Sequence, residues 1–231
     1  MKRFLLFLCL VSVANATSFS SSIVGWWKMN DNLSTAVVVD SAGSNAGTFT
    51  DVTGDPNTDA HDTVGKVNGA FTFDGTDDFV DIGDTGEDVK SVSLWIKLKQ
   101  GHALNVEYIV DFNGGHNRVV VAFGTVTIGG FTSPLLYVNG EEGTNEVTII
   151  EGLIWSHIVV TDTTAVDAND FDIGRVTTNY FAGDIDNVML FDEVLTPADI
   201  RYLYNKGTGL EVLDQRNNKS RYLGNYRMRY K

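Results

Sequence analysis

The chain has 231 residues, few enough for one β-rich core, with 43 % hydrophobic and 20 % charged residues. Its net charge is −13, yet residues 216–231 hold six bases and no acid, so subtracting those six leaves −19 on residues 1–215. A body that acidic repels nucleic acid and anionic membranes and favours divalent cations, which removes nucleic acid as a partner of the main domain.

The chain opens with Lys2-Arg3, a nearly unbroken apolar run from Phe4 to Val13, and Ala14-Asn15-Ala16. A basic start, an apolar centre of about ten residues and an A-x-A site predict a signal peptide over residues 1–16, a mature chain from Thr17 and a secreted product. About ten apolar residues make half of a bilayer-spanning helix, so no membrane span is expected in the mature chain. The one cysteine, Cys9, lies inside this leader. Without disulfides the mature chain depends on core burial.

From Ile23 onward the chain is a series of short runs rich in β-branched and aromatic residues, separated by Gly, Asn and Asp. Strands are predicted at 23–29, 71–73, 79–82, 91–98, 108–112, 118–123, 126–128, 135–138, 147–150, 155–161, 171–173 and 184–191. In the fourth, Val92, Leu94, Ile96 and Leu98 share one face and Ser93, Trp95 and Lys97 the other. That alternation predicts a strand buried on one side. Asp74-Gly75 and Asn139-Gly140 are placed as hairpin turns, the first joining 71–73 to 79–82, the second joining 135–138 to 147–150. Residues 51–62 are polar and aperiodic, a loop long enough to be functional. One helix is predicted, 196–204, with Thr196 as N-cap, Pro197 at the first helical position and Asp199 placed for a capping box. No strand–helix–strand spacing occurs, so an all-β sandwich follows.

Seven motifs stand in a fixed order: Gly25-Trp26-Trp27-Lys28-Met29-Asn30-Asp31, Asp40-Ser41-Ala42-Gly43, Gly69 to Val80 with Phe73-Asp74-Gly75 at its centre, Ser93-Leu94-Trp95-Ile96, Trp155-Ser156-His157, Phe181 to Val188, and Leu195-Thr196-Pro197. In this the chain resembles, over about residues 23–206, the laminin-G-like branch of the concanavalin A-like lectin/glucanase superfamily. The resemblance implies a jelly-roll β-sandwich of two antiparallel sheets with one short C-terminal helix, its first and last strands side by side. It also implies calcium near the junction of the early Asp-Ser-x-Gly loop and the late Gly-x-Ile-Asp strand, with Asp40, Asp184 and Asp186 as the ligands to watch. Calcium takes six to eight hard oxygens, which short Asp side chains on Gly-rich loops supply. One departure stands out: Tyr137-Val138-Asn139-Gly140 precedes Trp155-Ser156-His157 instead of following it, as if a hairpin were missing or displaced.

The remaining chemistry is sparse. Asp74, Asp77 and Asp78 read either as a cation or sugar contact or as a plain turn around Gly75. The superfamily's glucanases carry Glu-x-Asp-x-x-Glu on one strand, whereas residues 184–189 hold no glutamate. His61, His102, His116 and His157 are not at metal spacing, and His157 reads as a strand residue. Carbohydrate binding would then rest on aromatic faces, with Trp26 and Trp95 as candidates. The expected function is a secreted, noncatalytic carbohydrate-binding (lectin-like) or adhesion module over residues 17–210. The alternative is a structural or assembly component of a surface layer or virus particle, in which the basic, Tyr/Arg-rich tail 211–231 docks on an acidic protein surface or on another copy of the chain; a polysaccharide-degrading enzyme is a remote third.

Overall fold

The computed structural model describes residues 21–102, 105–143, 147–148 and 154–209. The predicted leader (1–16) and the basic tail (211–231) lie outside these residues. In chain order the elements are β1 (Ile23–Trp27), β2 (Val37–Val38), β3 (Gly47–Thr50), α1 (Thr58–His61), β4 (Asp62–Val64), β5 (Gly69–Asp74), β6 (Phe79–Gly83), β7 (Asp88–Leu98), β8 (Val106–Asp111), β9 (Arg118–Ala122) and β10 (Thr125–Gly129). They continue with β11 (Leu135–Val138), β12 (Glu141–Gly143), β13 (Val147–Thr148), β14 (Ser156–Asp167), β15 (Phe171–Ile173), β16 (Arg175–Val176), β17 (Asn179–Tyr180), β18 (Ala182–Phe191) and α2 (Pro197–Tyr204).

Two antiparallel sheets make the sandwich. The first runs β12-β11-β14-β7-β18-β5-β4, with β1 also on β18; the second runs β13-β10-β9-β8-β15-β6-β3-β2. Residues of one parity on each strand fill the space between them. Phe71 and Phe73 of β5, Leu94 and Ile96 of β7, Ile185 of β18, Val119 and Val121 of β9 and Phe171 of β15 all join one buried cluster with Trp27. Burying a Phe-sized side chain contributes on the order of 2–3 kcal/mol, so this cluster is the main source of stability in a chain without disulfides. The all-β sandwich with one short C-terminal helix is as expected, and so is the adjacency of the end strands: Trp26 pairs with Met189 and Trp27 with Val188.

The expected one-sided burial of β7 does not hold. Ser91, Ser93 and Trp95, on the face turned away from the other sheet, are as buried as Leu94 and Ile96. The cover is α2, whose Ile200 and Leu203 pack with Tyr137, Val159, Met189 and Trp26 into a second cluster on that outer face. The helix starts where its cap residues put it: Thr196 Oγ1 accepts from Asp199 N–H, and Asp199 Oδ2 accepts from Thr196 N–H at 3.0 Å. Such a cap contributes about 1 kcal/mol.

Both predicted hairpins are rearranged. The Asp74-Gly75 turn does not pair its flanking strands, because β5 lies in the first sheet between β18 and β4 and β6 in the second between β15 and β3. Residues 74–78 are a crossover at the rim of the sandwich. Both flanks carry core phenylalanines, Phe73 and Phe79, a pattern that two strands facing each other across a core satisfy as well as a hairpin does. After Asn139-Gly140 the chain returns at once as β12, with Val138 opposite Glu141, whereas β13 joins the other sheet beside β10. The displaced Tyr137-Val138-Asn139-Gly140 motif therefore keeps its hairpin, and β11 pairs with β14.

Candidate functional site

The cover over the outer face of the first sheet is incomplete. Cross-strand partners in an antiparallel sheet share a face, so Thr72, Asp184 and Lys97, opposite one another on β5, β18 and β7, form one row. Lys97 Nζ bonds Asp184 Oδ2 at 2.5 Å and lies 5.1 Å from the ring centroid of Trp155, which stands just before β14 and is half-buried. This row borders a basin of about 570 Å³ whose walls include Asp51, Asp74, Lys99 and Gly183. Gly183 has φ +148°, and a Cβ there would sit 2.3 Å from the Lys97 carbonyl oxygen, so glycine is what lets β18 approach β7 at this spot. With 27 % and 12 % of their side chains exposed, Lys97 and Asp184 form a pair worth about 1 kcal/mol at most. Its value is as a donor and an acceptor held side by side.

Another wall is the rim crossover, through Asp74 and Asp78. Asp74 Oδ1 accepts from Thr76 N–H at 2.6 Å, and Asp78 Oδ2 accepts from Asp74 N–H at 2.9 Å, which folds residues 74–78 around Gly75 (φ +86°). Beside it His61, at the end of α1, stacks on Phe49 with centroids 3.9 Å apart and lies 2.8 Å through Nε2 from the Asp55 carbonyl oxygen. Its Nε2 is 3.7 Å from Asp51 Oδ2 and its Nδ1 3.8 Å from Asp78 Oδ2. Burial pushes the Asp78 carboxyl up to about 6, with the Asp74 and Asp51 carboxylates adding to the rise and the Asp74 backbone bond and His61 opposing it. Among the described residues, two groups could hold a cation, each with ligand atoms within 4.8 Å of one another: Asp51, His61 and Asp78, and Asp74, Asp77 and Asp78.

Neither group contains the expected calcium ligands. Asp40 spends both oxygens on its loop, accepting from Trp26 and Ala42 N–H through Oδ1 and from Asn45 N–H through Oδ2, at 2.9, 2.9 and 3.0 Å. Asp184 holds Lys97, and Asp186 Oδ2 accepts from Val67 N–H at 2.7 Å. Those roles tie loops to strands, and among the described residues Asp40, Asp184 and Asp186 do not come together as one cation-binding group.

The two tryptophans singled out for sugar stacking are also covered. Trp26 is 7 % exposed, donates from its indole to Asn187 Oδ1 at 2.6 Å and has Lys28 Nζ 4.6 Å from its ring centroid. Trp95 is 1 % exposed, with His157 and Tyr204 against its ring. The alternation reading put Trp95 on the correct face, but α2 closes that part of it. Trp155 lies against Lys97, a wall of the basin, without itself lining it, and in the sequence it stands only within the Trp155-Ser156-His157 motif. Spacing along the chain does not mark His61, because its neighbours Asp51 and Asp78 are 10 and 17 residues away.

No protein-family profile matches the chain, and no curated protein matches it in sequence. Solved structures match its fold. Domain 4 of AbnA, a GH43 extracellular arabinanase from Geobacillus stearothermophilus solved with arabinotriose, has TM-score 0.52 and 17 % identity, covering 78 % of this chain and 97 % of that one. A mutant of Trypanosoma rangeli sialidase displaying trans-sialidase activity has TM-score 0.55 and 10 % identity over 85 % of this chain and 35 % of that one. The botulinum neurotoxin serotype D ligand-binding domain, solved with N-acetylneuraminic acid, has TM-score 0.48 and 14 % identity over 81 % and 52 %. The chain thus spans about half of the neurotoxin domain and about a third of the sialidase. At these identities the likeness of the arabinanase domain and the sialidase bears on the β-sandwich fold and on nothing finer.

Proposed function

We propose that the chain is a secreted, noncatalytic carbohydrate-binding module of laminin-G-like type that holds its glycan in the basin beside Trp155, Lys97 and Asp184. The observation that carries this reading is the uncovered row itself: one half-buried indole beside a bonded donor–acceptor pair, on a sheet face that α2 covers only in part. A sugar presents a C–H face and flanking hydroxyls. An aromatic plane with a carboxylate and an ammonium next to it answers both needs. The arabinanase domain supports the reading because this chain matches nearly the whole of it and that domain was solved with arabinotriose.

The chemistry of the basin's acids favours holding over cleaving. A glycosidase needs an acid that reaches the glycosidic oxygen and a second carboxylate beside it. Asp78, the acid with the raised pKa, has Oδ1 fully buried, and Asp184 is bound to Lys97. The test is a glycan array with arabino-oligosaccharides and sialylated glycans among its probes, followed by calorimetry on any hit. Trp155→Ala and Lys97→Ala should each weaken binding at least tenfold, while Trp95→Phe, under α2, leaves it within about twofold. No hit on the array, or a hit indifferent to Trp155→Ala, overturns the site.

A further inference from the structure

We infer that the rim crossover between β5 and β6 is a binding site for a hard divalent cation of the calcium class, held by Asp74, Asp77 and Asp78. Three carboxylates fall within five residues and offer oxygens within 4.8 Å of one another. Proximity alone would prove little, since acids gather in turns for other reasons. What separates this cluster is the state of its oxygens. Asp77 and Asp78 are 8 % and 3 % exposed, and each has an Oδ1 that is wholly buried and accepts no hydrogen bond from any described residue. Leaving a buried carboxylate oxygen unpartnered is costly, and two of them in adjacent residues of one turn define a place where positive charge belongs.

The described residues do not supply that charge. Among the described residues no Lys or Arg nitrogen lies within 4.0 Å of the Asp74, Asp77 or Asp78 carboxyls. The nearest imidazole contact is His61 Nδ1 at 3.8 Å from Asp78 Oδ2, and that oxygen already accepts from Asp74 N–H. Lys99 Nζ donates to the Asp74 carbonyl oxygen at 3.3 Å, not to its side chain. The donor set is all oxygen and short-armed, and Gly75 at φ +86° lets the turn close around it. Such a set matches calcium better than a softer metal. The overlapping group of Asp51, His61 and Asp78 would suit a nitrogen-seeking metal, but its imidazole Nε2 already faces the Asp55 carbonyl oxygen at 2.8 Å and it contains only one of the two orphaned oxygens. Because β5 and β6 belong to different sheets, an ion here would fasten the two layers together at the edge of the basin.

This inference does not depend on the glycan reading, and its test uses no sugar. The full mature chain, stripped with chelator, is titrated with calcium chloride by calorimetry and by thermal melting, alongside Asp77→Asn, Asp184→Asn and His61→Gln. Asp77 does not border the basin, so Asp77→Asn leaves the proposed glycan contacts in place. Saturating calcium should raise the melting temperature of the wild type by about 5 °C. Asp77→Asn should reduce calcium affinity at least tenfold while melting, without metal, at or above the wild-type temperature, because an amide replaces an unpartnered buried carboxylate. Asp184→Asn and His61→Gln should keep the calcium response. An absence of heat and of any melting shift up to 10 mM calcium overturns the inference, as does an undiminished response in Asp77→Asn. A response to zinc alone that disappears in His61→Gln would also overturn it, by moving the site to Asp51, His61 and Asp78.

Discussion

Tyr204, the last residue of α2, stacks on Trp95 of β7 with ring centroids 5.8 Å apart and planes 22° apart. The terminal turn of α2 therefore shares in covering Trp95 with His157 and Lys66. Tyr204→Ala should uncover Trp95 and cost about 2–3 kcal/mol, combining lost burial with the extra attraction of an aromatic pair. Urea unfolding measures the loss, and a red-shifted tryptophan emission in the folded variant reports the exposure. An unchanged emission maximum would mean that other groups seal the ring.

Asp172 faces Asp81 on one side and Asp111 on the other across β6, β15 and β8. Burial pushes its carboxyl up to about 7, with Asp81 and Asp170 adding to the rise, although Arg175 bonds Oδ2 at 2.6 and 2.8 Å and opposes it. The native state thus binds this proton more tightly than the unfolded chain does. Stability from this group is full below about pH 4 and is lost as pH rises to about 7, by on the order of a few kcal/mol. Melting temperatures between pH 4 and 8 should fall more steeply for the wild type than for Asp172→Asn. Asp78, raised in the same sense, should leave a smaller slope in that variant.

His157 titrates in the opposite sense. Its ring is enclosed, Nε2 is 2.9 Å from the Ser93 hydroxyl, and burial pulls its pKa down to about 3. A buried neutral imidazole contributes stability that is complete above about pH 6.5 and is lost as pH falls toward 3. Side-chain NMR of the folded protein should find this imidazole neutral at pH 5, when an exposed histidine is mostly charged. His157→Gln should weaken the acid loss of stability even if it melts lower at neutral pH. A normal titration near 6.5 would contradict the enclosed position.

Removing residues 211–231 should leave the sandwich folded. The chain is still packed at Gly209, whose carbonyl oxygen accepts from Asn205 Nδ2 at 3.0 Å and where a Cβ would run into Val67 and meet Trp95, so a cut beyond it spares the cover on Trp95. The six bases of the tail should confer any salt-sensitive self-association, since their attraction to the acidic body is screened within about 10 Å at 0.1 M salt. Ultracentrifugation of both lengths at two salt concentrations checks this. Association unchanged by the cut would remove the tail from any assembly role, and unfolding would show that the domain boundary lies further along.

The longer strands were legible because aromatic and β-branched runs alternate between turn residues, and α2 because Thr196, Pro197 and Asp199 spell its start; the two- to four-residue strands β2, β3, β4, β12, β16 and β17 were not, being too short to show a period. Sheet membership was not. Phe71–Phe73 and Phe79–Ile82 flank Asp74-Gly75 as hairpin arms would, and local pattern does not distinguish pairing along one sheet from facing across two. The outer cover was hidden for a related reason: the alternation of Ser93, Trp95 and Lys97 shows which face they take, while what lies on that face comes from α2, about a hundred residues later. The loop 51–62 looked aperiodic, yet it places Asp51 and His61 beside Asp78. Proximity of that kind has no period to read.

The Trp26 indole and its acceptor Asn187 are separated by 161 residues in the chain, with every other described strand between them. β1 has no place to dock until β18 exists. A growing or shortened polypeptide that lacks β18 must leave its first tryptophans exposed to water and to chaperones, so maturation of this sandwich is expected to be late, slow and concerted.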